Sequence, residues 1–168
     1  MLETQHTLFD EIQRLLGALR CIGNGRYACL VEPGGLLLED AAELGEDAWV
    51  LRRFIEQRIP RLFEIPKALE SDGPADDLFE DWDSDEFFLA FINGKVGVLV
   101  ACPNAAALEA EAPRPLRALA DRLFRVNAAW RVDDRGHGLL LGRARLDMVV
   151  IGRAEPQASG AASEPSPD

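Results

Sequence analysis

"RYACLVEPGGLLLED", residues 26–40, holds two short apolar runs on either side of Pro33-Gly34-Gly35, and neither run carries a side chain that obviously performs chemistry. Proline sets the φ angle of a turn's second position and glycine tolerates positive φ at the third. Glu32-Pro33-Gly34-Gly35 therefore reads as a type II turn. The stretch is a hairpin, with strands at about 26–32 and 36–39, and the fold depends on what surrounds it.

Upstream, Leu8, Ile12, Leu15, Leu16 and Leu19 recur at helical spacing. They predict a helix from about residue 4 or 7 to 20, with Thr7 and Asp10 as a capping pair at its start and Gly23 and Gly25 ending it. "GNGRYA", residues 23–28, has the G-x-G-x-x-A spacing of dinucleotide sites. Such a site follows a strand and opens a helix, so that the helix N-terminus meets the pyrophosphate. Here a helix precedes and a strand follows, so the segment reads as a helix stop. Downstream, Leu51, Phe54, Ile55, Ile59 and Leu62 predict a second helix over about 48–65, kinked or broken at Pro60. Arg52, Arg53, Glu56 and Gln57 lie on the face opposite that stripe, as solvated surface or as a docking site, and are candidate partner-binding residues.

"FFLAFINGKVGVLVACP", residues 87–103, sets apolar runs on both sides of Asn93-Gly94, a strong hairpin signal, and its strands read as buried on both faces. "PLRALADRLFRVN", residues 115–127, predicts a third helix through Leu116, Leu119, Ala120, Leu123 and Phe124, leaving Arg117, Arg122 and Arg125 for solvent. From 128 to 152, "AAWRV", the polar turn "DDRGHG" and "LLLGRARLDMVVIGR" read as two or three further strands. Residues 154–168, rich in Pro, Ser and Ala, cannot bury enough surface to offset chain entropy and are expected to be a disordered tail. The pattern is α+β: a single domain over 1–153, with one mainly antiparallel sheet of about five to seven strands covered by helices.

The 168 residues carry a net charge of −11. Nine Asp and Glu and no Lys or Arg fall in residues 70–86, so the rest of the chain carries only about −2. No basic run along the sequence supplies the clustered Lys and Arg that nucleic acid or anionic lipid requires, so neither is an expected partner. No run is long and apolar enough to span a bilayer and no leader pattern opens the chain, which points to the cytoplasm. Cys21, Cys29 and Cys102, odd in number and without a C-x-x-C pair, fit a reducing compartment.

Chemistry is sparsely signalled. There is no P-loop, and His6 and His137 assemble with no Ser or Cys into a nucleophilic set. "DWDSDE", residues 81–86, alternates carboxylates like half an EF-hand, but Glu86 stands where the turn needs Gly and Ile92 stands at the twelfth position. It reads as a solvated acidic loop. Leu78, Phe79 and Trp82 inside it either fold back onto the domain as anchors, the favoured reading, or insert into a partner. Asp81 and Asp83 belong to the field that would steer a partner with a basic patch, so Phe79, Asp81, Trp82 and Asp83 join the candidate partner-binding residues. No catalytic residue, metal or cofactor is expected.

The order helix, hairpin, helix, hairpin, helix resembles the Roadblock family of dynein-light-chain-like domains over about residues 4–127, with Tyr27–Val31, Pro33–Gly35 and Leu36–Leu38 matching its first strand, glycine turn and second strand. The resemblance implies a non-enzymatic scaffold or regulatory module, a homodimer joined through helix two or a sheet edge, and small Ras-like GTPases among its partners. Two features depart from the family pattern: the acidic loop before the second hairpin, and the strands after helix three. Those strands also suit a GAF-like small-ligand sensor, and size and charge suit a small acidic secretion chaperone.

Overall fold

The computed structural model describes residues 2–43, 45–70, 87–132 and 143–151, with side chains from residue 7 onward and not for 68–70. The acidic loop from residue 71 on, the whole 133–142 connection and the tail lie outside the described residues.

Helix α1 (Leu2–Ile22) leads into strands β1 (Tyr27–Glu32) and β2 (Gly35–Ala41). Three short helices follow: α2 (Glu46–Glu56), α3 (Ile59–Leu62) and α4 (Ile65–Glu70). Then come β3 (Phe87–Ile92), β4 (Val96–Ala101), α5 (Ala105–Glu111), α6 (Pro113–Val126), a 3-10 turn (Ala128–Arg131) and β5 (Leu146–Ile151). The five strands form one antiparallel sheet in the order β2-β1-β4-β3-β5. The α+β expectation of a single antiparallel sheet under helices holds, with five strands among the described residues.

Alternation along the strands splits the core in two. One face of the sheet offers Ala28, Leu30, Phe88, Ala90, Val98 and Val100 to Ile12, Leu16 and Leu19 of α1 and to Leu108, Leu116, Leu119 and Leu123 of α5 and α6. The other offers Tyr27, Cys29, Val31, Phe87, Leu89 and Phe91 to Leu51 and Ile55 of α2, Ile59 and Leu62 of α3, and Ile65 of α4. With helices on both faces, β3 and β4 are buried along their whole length, as their unbroken apolar runs require.

Local chemistry explains where elements stop. Past α1, Asn24 takes the left-handed conformation at φ 55, and the Gly25 N–H donates to the Arg20 carbonyl at 2.8 Å. A Cβ on Gly25 would lie 2.9 Å from the Ala101 carbonyl oxygen, so only glycine lets the chain enter β1 there. At the second hairpin, Asn93 and Gly94 hold φ of 56 and 69, the paired positive angles of a type I′ turn.

The structure corrects several expectations. The first hairpin is not a type II turn: positive φ sits at Gly35 (φ 150) and not at Gly34, because Glu32 pairs directly with Gly35 and only Pro33 and Gly34 connect the strands. Thr7 and Asp10 do not cap α1, which begins at Leu2. The second helix breaks into three, since proline cannot donate within a helix and Pro60 instead lies in the first turn of α3. "AAALEAE" forms α5, which the sequence reading passed over. "AAWRV" is no strand: the Asn127 side chain accepts from the Ala129 N–H at 3.0 Å and winds the segment into a 3-10 turn. After it, β5 is the strand that the described residues contain.

Candidate functional site

Titratable groups gather under α2. The Tyr27 hydroxyl donates to Glu39 Oε1 at 2.7 Å, and Arg52 donates to Glu39 Oε2 at 3.2 Å. Antiparallel pairing sets Cys29 opposite Glu39, so all of these groups share one sheet face. Burial pushes the Tyr27 hydroxyl and the Cys29 thiol far above their ordinary ranges, and for Cys29 the Glu39 carboxylate adds to the effect. A thiol held protonated in an apolar core is a poor nucleophile, so the cluster braces α2 against the sheet. Among the described residues, no group of three or more His, Cys, Asp or Glu could hold a metal ion.

Arg52 is therefore a strut between α2 and the edge strand β2. Its neighbours behave differently. At 100° per residue, Trp49, Arg53, Glu56 and Gln57 fall on one stripe of α2, opposite Leu51 and Ile55. All four are exposed. Trp49 is 52% exposed and Val50 beside it 51%, and the Arg53 guanidinium lies 5.4 Å from the centre of the Trp49 ring. Sequence reasoning found Arg53, Glu56 and Gln57 and missed Trp49 and Val50. The signal was available: both fall outside the apolar stripe on the same helical wheel. An open cleft of about 510 Å³ at the start of α2, lined by Arg26, Glu43, Glu46 and Asp47 among others, flanks this surface. Phe79, Asp81, Trp82 and Asp83 lie outside the described residues.

The helix borders an edge. Among the described residues, β2 pairs with β1 alone, and a register shift at Leu30/Val31 leaves Leu37 without a strand partner there and 37% exposed. A bulge of this kind bends an edge strand and disrupts pairing locally, while the stretch from Leu38 to Ala41 keeps regular register with β1.

Among the described residues, no helix is long and apolar enough to cross a membrane. Compared with known family models, curated proteins and solved structures, the chain matches none.

Proposed function

We propose that this chain is a non-enzymatic protein-binding module that pairs with a second copy of itself through the outer stripe of α2 and the adjoining β2 edge. The observation that carries the reading is the exposed Trp49 ring under the Arg53 guanidinium, with the exposed Val50 beside it. Tryptophan and arginine are the side chains most enriched where binding energy concentrates, and a folded surface gains nothing from leaving them in water. The Glu39–Arg52 pair supports the reading, because it fixes the helix beside the edge strand so that one partner could cover both. The resemblance to Roadblock domains adds the same mode of pairing and proposes small Ras-like GTPases as a further partner class.

Hydrogen exchange tests the docking surface. Amides of 46–56 should exchange at least several-fold more slowly at about 100 μM protein than at about 1 μM, a range that spans weak self-association. Concentration-independent exchange there would remove the self-pairing surface. The non-enzymatic half has its own test: with ATP or GTP and magnesium, turnover should stay below about 1 per second, an ordinary enzymatic rate.

A further inference from the structure

A pocket of about 330 Å³ lies between α6, the 3-10 turn and the start of β5. Arg117 and Arg125 from α6, Arg131 from the 3-10 turn and Arg143 ahead of β5 line it; among the described residues Asp121 is its one carboxylate, and Ala120, Phe124 and Ala144 form its apolar wall. We propose that this pocket binds a phosphomonoester, with the dianionic head among the guanidiniums and an apolar or aromatic substituent against Phe124 and the two alanines.

The cations are placed by the fold and not by a basic run in the sequence. Arg117 donates to the Ala144 carbonyl at 3.1 Å, which ties the α6 side of the pocket to the segment entering β5. Asp121 lies 3.7 Å from Arg125 and 3.5 Å from Arg122, so its single charge is shared. Arg131 and Arg143 have no carboxylate partner among the described residues. The segments bearing them are fastened to one buried side chain: Asn93 Nδ2 donates to the Trp130 and Arg131 carbonyls at 2.9 and 3.1 Å, and Asn93 Oδ1 accepts from the Arg145 N–H at 2.8 Å.

A chain of net charge −11 thus gathers, among its described residues, four guanidiniums against one carboxylate in a single concavity. Like charges lining one pocket repel, and an anion bound among them turns that repulsion into attraction. The planar guanidinium fork matches phosphate oxygens in pairs, and a pocket of this size takes a small molecule with a few polar anchors and an apolar wall. The charge is too local to track a nucleic-acid backbone, which demands a long basic stripe.

Calorimetric titration of the full chain with phenyl phosphate and with inorganic phosphate, at constant low ionic strength, tests the site. Phenyl phosphate should bind at one saturable site with a dissociation constant below about 1 mM, and inorganic phosphate at least about fivefold more weakly. Replacing Arg131→Ala and Arg143→Ala together should weaken binding at least about tenfold, while Arg14→Ala, an exposed arginine outside the pocket, should change it less than about twofold. In the unaltered protein, phenyl phosphate should shift the amide resonances of 117–131 and 143–145, a readout independent of how any variant folds. Lack of saturation by about 10 mM, equal losses in Arg14→Ala, or inorganic phosphate binding as tightly as phenyl phosphate would each overturn the assignment.

Discussion

Asn93 and Arg145 are joined twice: the Asn93 N–H donates to the Arg145 carbonyl at 2.8 Å, and the Arg145 N–H donates to Asn93 Oδ1, also at 2.8 Å. With its Nδ2 donating to the carbonyls of Trp130 and Arg131, this fully buried turn residue fastens the β3–β4 hairpin, the 3-10 turn and the entry to β5 into one unit. A residue that hairpin rules place in a turn for its φ angle is here a polar core residue as well.

Asn93→Ala should therefore lower stability by about 2–3 kcal/mol, because it leaves the partly buried Arg145 N–H and two carbonyls to find new partners. Asn93→Asp should cost more, since the acceptor for Arg145 survives while both donors become a charge facing carbonyls. Urea unfolding at pH 7 measures both. A loss below about 1 kcal/mol in either variant would mean that solvent reaches this junction.

Alkali should unfold the protein through Tyr27 and Cys29. Burial raises Tyr27 above its ordinary 10.0 and Cys29 above its ordinary 9.0, so the folded chain keeps both neutral while the unfolded chain ionises them. Their stabilisation is complete below about pH 9 and is lost as pH rises past those unfolded values, at up to about 1.4 kcal/mol per pH unit for each group. Tyr27→Phe should flatten the fall above about pH 10 and cost about 1 kcal/mol at neutral pH through the lost bond to Glu39. Unfolding free energies measured from about pH 8 to 11 decide it; a level curve for the unaltered protein would contradict the buried placement of both groups.

Gly97 tests the packing of the sheet against α2–α4. A Cβ there would lie 3.2 Å from the Phe91 ring and 3.2 Å from Val31 Cγ2, and Phe91 is itself held edge-on by Phe63 at a centroid distance of 5.5 Å. Gly97→Ala should destabilise by about 1–3 kcal/mol, although alanine suits a strand better than glycine does. Gly45→Ala, where nothing lies within 4 Å, serves as the comparison and should change stability by less than about 1 kcal/mol in thermal unfolding.

What the sequence revealed follows the range of the forces involved. Asn93-Gly94 and the apolar runs around it encode their hairpin locally, and the α1 stop at Asn24-Gly25 is equally local. The alternation of Tyr27, Cys29 and Val31 with Ala28 and Leu30 encodes a strand but not its neighbours, so the central place of β4 and the late return of β5 beside β3 could not be read. "AAWRV" misled because Ala, Trp and Val look strand-like in isolation, while the Asn127 cap and the pull of Asn93 on two carbonyls decide the conformation. Arg53, Glu56 and Gln57 were legible as an outer face, and Trp49 belonged to the same wheel. The arginine pocket was not legible, because Arg117, Arg125, Arg131 and Arg143 come together only when α6 and the start of β5 meet.

The central claim is that the Trp49 stripe of α2 is covered by a second copy of the chain, and sedimentation velocity over about 1–100 μM tests it most directly. The unaltered protein should pass from monomer to dimer within that range, and Trp49→Ser should weaken the association at least about tenfold while its melting temperature at about 1 μM, where both proteins are monomers, stays unchanged because the ring is half in solvent. A protein that remains strictly monomeric at about 100 μM, or a Trp49→Ser variant that dimerises as tightly as the original, would contradict it.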